Sequence, residues 1–185
     1  LVLETEYWRE YVKDHIPTAY AGIRELMEAH KAQGGILCVV SHSFEENILR
    51  DYKANGLPEP DAVFGWGRPV EQRKPYPYPL QEIMRIYGVE PGELLMIDDL
   101  KPGYDMAVKC GVDFAAVGWS SDVPEIERFM RDNCSNYFKS VAELDKLLDE
   151  AFSFDNFAWQ RDNKVSIDVP FRADGLHRIL YKCPN

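Results

Sequence analysis

The sequence lacks long apolar runs, a cysteine framework and a basic N-terminal leader. No apolar stretch approaches the roughly 20 residues that a helix needs to cross a bilayer. No basic region followed by an apolar block opens the chain. The four cysteines lie far apart, which argues against a set of disulfides. These absences predict a soluble cytoplasmic protein that does not use a membrane as its partner.

Basic residues are fewer than acidic residues, and this limits the kinds of partner that the protein is expected to bind. Lysine and arginine total 21 against 31 aspartates and glutamates, and the formal charge is −10. A surface of this kind is not expected to bind nucleic acid. A small phosphate ester stays possible, because a metal ion or a local lysine can reverse the sign of the field at a site.

The chain is long enough for one sizeable core, since 45% of its 185 residues are hydrophobic. Apolar patterns predict strands and helices that alternate along the chain. The predicted strands are 36–40, 61–65, 94–97 and 114–117, and the predicted helices are 19–32, 44–54, 80–87, 103–109, 124–130 and 141–151. This order predicts an α/β fold, a Rossmann-like three-layer arrangement with a mainly parallel sheet. The runs at 36–40 and 94–97 are continuous enough to be buried strands.

Polar residues follow three of the predicted strands, and ligands bind at the carboxyl ends of parallel strands. Ser41 ends the first strand, Lys74 lies in the proline-rich loop after the second, and Asp98 with Asp99 ends the third. Singly, Ser41 reads as a helix cap and Lys74 as a solvated lysine. Together they predict half of a phosphoryl-transfer site, in which a hydroxyl and a lysine hold phosphoryl oxygens and the aspartates hold Mg²⁺.

Three segments resemble motifs of the haloacid dehalogenase superfamily. Residues 36–43 resemble its second motif, in which a strand ends in Ser or Thr, here Ser41. Residues 73–77, Arg-Lys-Pro-Tyr-Pro, resemble its third motif, and residues 94–103 resemble its fourth. The resemblance extends over about residues 17–150 and is closest to phosphatases of the phosphoglycolate phosphatase type.

The resemblance implies hydrolysis of a phosphate monoester through an aspartyl-phosphate, with Mg²⁺ as the cofactor. The resemblance implies that the phosphoryl group binds at Ser41, His42 and Lys74. Two of these, Ser41 and Lys74, would be catalytic. The metal would be held by Asp98 and Asp99. The expected substrate is a small phosphorylated metabolite. Sugar phosphates, phosphoglycolate and nucleotides all remain open.

One family motif is missing from the sequence. The first motif is an apolar strand ending in Asp-x-Asp, which supplies the nucleophile, and nothing before Gly34 resembles it. We therefore expect a chain truncated at its N-terminus, with residues 1–16 as the remnant of a helical cap and 17–151 as the Rossmann-like core. Alone it is expected to be inactive. Two alternatives remain: a phosphomutase of the same family, or a non-catalytic remnant that binds a phosphorylated ligand or a partner.

The tail, residues 152–185, differs in composition from the predicted core. Residues 164–169 alternate like an edge strand, and Cys183 lies where the first knuckle of a zinc ribbon would begin. Residues 171–176 resemble a C-terminal region of some bacterial lysophosphatidate acyltransferases. The tail is therefore either an edge strand with a disordered end or the start of a second functional segment.

Overall fold

A computed structural model describes residues 2–152 and 161–164 of the protein. The elements are α1 (Val2–Lys13), α2 (Ile23–Ala32), β1 (Cys38–Val40), α3 (Glu45–Ala54), β2 (Ala62–Phe64), α4 (Tyr78–Tyr87), β3 (Leu95–Asp98), α5 (Lys101–Cys110), β4 (Asp113–Val117), α6 (Pro124–Asn133), β5 (Asn136–Phe138) and α7 (Val141–Phe152). None of the helices within these described ranges is long and apolar enough to cross a membrane.

The chain divides into two compact units, Leu1–Leu147 and Leu148–Asn185. The elements from α1 to β5 and the start of α7 belong to the first unit. Residues 165–169 of the strand predicted at 164–169, and the predicted zinc ligand Cys183, lie outside the described residues. The division into a cap remnant, a core and a tail stays a prediction.

Helix boundaries in the first unit follow local signals in the sequence. Helices α4 and α5 end at Gly88 and Gly111, whose φ angles of 65° and 67° place them in the left-handed region. Glycine adopts that conformation at little steric cost, which makes it the usual residue after a helix. Helix α5 begins at Lys101, before its predicted start, because Pro102 fits the first turn, where its missing N–H is not needed.

The strands are parallel, as predicted, but they form two sheets. Strand β1 pairs with β2 in one sheet, and the order in the other is β3-β4-β5. The α/β class and the parallel pairing are thus confirmed. Strand β5 was not predicted, because its three residues, Asn-Tyr-Phe, are too few and too polar to give a buried-strand signal.

One hydrophobic cluster lies against both sheets. Its buried members are contributed by β2, α4, β3, α5 and the turn before β4: Phe64, Leu80, Ile83, Met96, Met106, Ala107 and Val112. Cys38 and Val40 of β1 pack against the same cluster. The two sheets therefore share helices α4 and α5 as their cover on one side.

The prediction that β3 is a fully buried strand was wrong. Met96 and Asp98 are buried, but Leu95 is 42% and Ile97 is 40% exposed. Alternate residues of a strand point to opposite faces, so one face of β3 lacks full cover. An apolar run shows that a strand can be buried on both faces, whereas actual burial depends on the elements that pack there.

Asp61 joins the end of α2 to the entrances of β1 and β2. Both of its carboxylate oxygens lie 2.7 Å from Lys31 Nζ, and Oδ2 accepts the backbone N–H of Leu37 at 2.7 Å. The hydrogen bond from Lys31, then that from Leu37, lowers the pKa of Asp61. A carboxyl group whose pKa is lower in the folded state stabilises the fold above its unfolded pKa, about 4, and loses that effect as the pH falls.

We predict that Asp61→Asn lowers the free energy of unfolding at pH 7 by about 1 kcal/mol, because a partly exposed charged hydrogen bond is lost. The difference from wild type should shrink as the pH falls below about 4, where Asp61 itself becomes protonated. Urea unfolding at a series of pH values measures this. Asp61→Ala, which also removes the acceptor for Leu37, should cost more than Asp61→Asn at neutral pH, and equal costs would contradict the assignment.

Candidate phosphate and metal site

The centre of the candidate site is a buried ion pair between Lys74 and Asp98. Lys74 comes from the loop between β2 and α4, and Asp98 is the last residue of β3. The Nζ and Oδ2 atoms lie 2.6 Å apart, and the two side chains are only 10% and 5% exposed. Buried charges are costly unless they are paired, so each side chain stabilises the burial of the other. The pair joins the loop that follows β2, in one sheet, to the end of β3, in the other.

The second oxygen of Asp98 binds the start of α5. Its Oδ1 atom accepts the backbone N–H groups of Asp99, at 2.8 Å, and Leu100, at 3.0 Å. These donors precede the helix, where backbone N–H groups have no partner within the helix. Burial raises the pKa of Asp98, and the neighbouring Lys74 ammonium opposes that rise. Both Asp98 oxygens thus have partners within the protein.

Gly103 leaves room for the Asp98 carboxylate. It lies in the first turn of α5 and is buried, and a Cβ atom built there would overlap the Asp98 side chain. The close approach of helix backbone and carboxylate therefore requires glycine at this position.

Ser41 and His42 follow β1 directly. The Ser41 N–H donates to the Phe64 carbonyl at 2.9 Å, which extends the pairing with β2, and Ser41 Oγ accepts the Ser43 N–H at 3.1 Å. His42 Nε2 lies 2.9 Å from the Lys74 carbonyl oxygen, so the ring nitrogen must donate. The structure thus brings His42 into contact with Lys74. The contact is made by His42 Nε2, which holds the β2–α4 loop through a backbone carbonyl group. That a phosphoryl group binds at Ser41, His42 and Lys74 stays a prediction.

Asp99 has a partner that the sequence did not suggest. Ser120, in the loop after β4, donates its hydroxyl to Asp99 Oδ2 at 2.6 Å. That loop is held in place because the Gly118 N–H donates to the Phe138 carbonyl of β5 at 2.9 Å. A signal for this contact exists in the sequence, since Ser120 follows the carboxyl end of β4, where ligand-binding residues of parallel sheets collect.

Asp98 and Asp99 fit Mg²⁺ in their chemistry. Mg²⁺ binds oxygen ligands and is often held by one or two carboxylates with water and phosphate oxygens. Asp99 is the better donor, because both Asp98 oxygens already have partners. Within the described ranges, no group of three or more His, Cys, Asp and Glu side chains could hold an ion. The remaining ligands of a bound ion would therefore be water, phosphate oxygens or protein groups outside the described ranges.

This chain belongs to the family of haloacid dehalogenase-like hydrolases, whose profile matches residues 3–117. The resemblance seen in the three motifs is thereby confirmed. A pyrophosphatase PpaX from Bacillus cereus (strain AH820) is 28% identical over 116 residues, covering 61% of this chain and 54% of that protein. A phosphoglycolate phosphatase from Thiobacillus denitrificans is 30% identical over 94 residues, covering 51% and 41%. The chain thus spans about half the length of these curated relatives.

Solved structures support the fold. A predicted phosphoglycolate phosphatase from Haemophilus somnus 129PT superposes with a TM-score of 0.66 at 22% identity, covering 78% of this chain and 63% of that one. One from Lactobacillus delbrueckii subsp. bulgaricus superposes with a TM-score of 0.63 at 21% identity, covering 75% and 58%. At these identities the likeness establishes the architecture alone.

We predict that Gly103→Ala lowers the free energy of unfolding by about 1–3 kcal/mol, because the added methyl group overlaps the Asp98 carboxylate. Gly92→Ala is the matched control, since a Cβ there meets nothing within 4 Å. Denaturant unfolding of both variants measures the difference. If Gly103→Ala were as stable as the control, the close approach would not constrain the fold.

The Lys74–Asp98 pair can be tested by a double-mutant cycle. We predict that Lys74→Met and Asp98→Asn each cost about 3 kcal/mol, because each leaves a buried partner without its counter-charge. The double variant should cost clearly less than the sum of the two. Additive costs in denaturant unfolding would show that the two side chains do not interact in solution.

Proposed function

We propose that this chain supplies the phosphate-binding and Mg²⁺-binding half of a phosphohydrolase site for small phosphorylated metabolites. The observation that carries the proposal is the buried contact between Lys74 and Asp98. This contact supports the proposal because an ammonium group and a carboxylate, the groups that phosphoryl transfer uses, lie 2.6 Å apart with both side chains buried. Further support comes from His42, whose ring contacts the Lys74 carbonyl oxygen, and from Asp99, which follows Asp98 directly.

Each residue has a role that follows from its chemistry. The Ser41 hydroxyl and the backbone N–H groups ahead of α3 would donate to a phosphoryl oxygen. The Lys74 ammonium would offset negative charge on a second oxygen. A bound Mg²⁺ would supply further neutralisation of the phosphoryl oxygens, with Asp99 and Asp98 as its protein ligands. Ser120 would hold Asp99 in position through the Oγ to Oδ2 hydrogen bond.

The names of the relatives support the substrate class. Pyrophosphatase and phosphoglycolate phosphatase both act, as named, on small phosphate compounds. A formal charge of −10 is consistent with a small substrate held by local cations and gives no support to a polyanion.

The nucleophile of the proposed aspartyl-phosphate mechanism is not found in this sequence. No two of its aspartates are separated by a single residue, so it contains no Asp-x-Asp. These residues would therefore bind the substrate, and the attacking carboxylate would come from outside them. A second candidate, non-catalytic binding of a phosphorylated ligand, is favoured by the complete pairing of the Asp98 oxygens within the protein.

Calorimetric titration of the 185-residue chain with MgCl₂ and inorganic phosphate tests the binding proposal. We expect Asp99→Asn to weaken Mg²⁺ binding at least about tenfold through loss of a charged ligand. Ser41→Ala should weaken phosphate binding by about tenfold, the effect of one lost hydrogen bond to a charged group. We expect p-nitrophenyl phosphate to be turned over only when an aspartate-bearing strand is supplied.

Ser121→Ala is the control for Ser41→Ala. Ser121 Oγ accepts the Val123 N–H, the same hydrogen bond to the second residue onward that Ser41 makes to Ser43. Equal phosphate affinity in the two variants would remove Ser41 from the proposed site. If the wild-type chain bound neither Mg²⁺ nor phosphate at millimolar concentrations, the proposal would fail. Turnover without any added strand would overturn the assignment of binding alone.

A further inference from the structure

The loops that follow β1 and β2 lie side by side and bring three planar side chains together. The Trp66 N–H donates to the Ser43 carbonyl at 2.8 Å, which holds the start of the second loop against the first. The Trp66 ring meets the His42 ring edge to face, with 5.6 Å between their centroids. Arg73 lies over the same indole, and its guanidinium carbon is 4.4 Å from the ring centroid. These side chains therefore form one contiguous group, the His42–Trp66–Arg73 cluster.

Arg73 has no counter-charge within the described ranges. Its Nε atom donates to the Arg68 carbonyl oxygen, which fixes the guanidinium on the indole, but no carboxylate of those ranges pairs with it. The other two cations of the β2–α4 loop are neutralised: Arg68 pairs with Glu45 at 2.7 Å and Lys74 with Asp98 at 2.6 Å. A guanidinium presents a planar fork of donors that fits a carboxylate or a phosphate. The terminal N–H groups of Arg73 therefore suit an anion that comes from outside these residues.

The cluster adjoins the residues to which phosphate binding is assigned. His42 follows Ser41 directly, Arg73 precedes Lys74 directly, and His42 Nε2 donates to the Lys74 carbonyl oxygen at 2.9 Å. His42 is exposed and Trp66 is 36% exposed, so a ligand has access to the cluster. A small substrate with its phosphoryl group at Ser41 and Lys74 can therefore bring its remaining part against Arg73.

We propose that Arg73, carried on the Trp66 ring, binds a second anionic group of the substrate, either a carboxylate or a further phosphate. The assignment rests on the proposed function and narrows its substrate to small phosphorylated compounds that carry this second anionic group. The formal charge of −10 disfavours the more highly charged of two anions over the molecule as a whole. A preference for the more highly charged anion therefore has to come from a local cation, and Arg73 supplies it.

Calorimetric titration of the 185-residue chain in MgCl₂ with three probes tests the proposal. Methyl phosphate carries the phosphoryl group alone, phosphoglycolate adds a carboxylate, and pyrophosphate adds a second phosphate. We expect at least one of the last two to bind about tenfold more tightly than methyl phosphate, the effect of one charged hydrogen bond. The tighter of the two identifies the anionic group. If methyl phosphate bound as tightly as both, the role of Arg73 would be wrong while the proposed function stood; if no probe bound, both would fall.

Substitutions of Arg73 test the location. Arg73→Gln should remove the preference for the second anionic group, and Arg73→Lys should restore only part of it, because an ammonium group lacks the planar fork. Arg85→Gln is the matched control, since it removes the same charge from an exposed arginine of α4 that pairs with Glu82. Circular dichroism checks that the variants fold. A preference that survived in Arg73→Gln would overturn the proposal, and so would an equal loss of affinity for all three probes, which would mean that Arg73 only holds the Lys74 loop.

Substitutions of Trp66 test whether the ring carries the guanidinium. Trp66→Leu should reduce the preference about threefold, because Arg73 loses the aromatic face on which it lies. Trp66→Phe keeps an aromatic face and should restore most of the preference. The same three probes measure both variants. A preference unchanged in Trp66→Leu would show that the ring does not position Arg73 and would overturn the proposal for the cluster.

Discussion

The buried contact between Lys74 and Asp98 is the constraint on which the rest of the site depends. Three further features of the site depend directly on one of these two residues. His42 is held by the Lys74 carbonyl oxygen, and the start of α5 is held by Asp98 Oδ1. Gly103 must be glycine because the Asp98 carboxylate occupies the space of a Cβ atom. In the first unit the pair also links the β2–α4 loop to the end of β3, where the described strands themselves do not pair.

Much of the fold could be predicted because its signals are local. Glycine after a helix, proline in a first turn and short apolar runs each act over a few residues, and they located six of the seven helices and four of the five strands in the described ranges; α1 carried no such signal. The break between the sheets could not be predicted in this way. A run such as Leu94 to Ile97 records only that a strand tolerates burial, whereas exposure at Leu95 and Ile97 depends on neighbours distant in the sequence.

The difference between local signals and distant contacts also explains how much of the site could be predicted. The order of Ser41, Lys74 and Asp98 along the chain, together with the rule of strand ends, predicted that they would meet at one edge, and Lys74 does meet Asp98. The rule of strand ends does not predict individual hydrogen bonds. The His42 ring holds a backbone carbonyl group, and Ser120 reaches Asp99 from a loop whose position depends on Gly118 and β5. Such contacts depend on loop geometry, which the pattern of residue types does not specify.

The complete pairing of Asp98 has a consequence for how ligands would bind at this edge. Lys74 holds Oδ2 of Asp98 at 2.6 Å, and two N–H groups hold Oδ1. A cation that bound Asp98 without a phosphate would have to share an oxygen with one of these donors. A phosphate that bound without a cation would have to break the ion pair between Lys74 and the buried Asp98 carboxylate. When both arrive together, Lys74 can face the anion while Asp98 faces the cation, and neither buried charge loses its counter-charge. If cation and phosphate bind here as proposed, this pairing would couple them, so that each raises the affinity for the other.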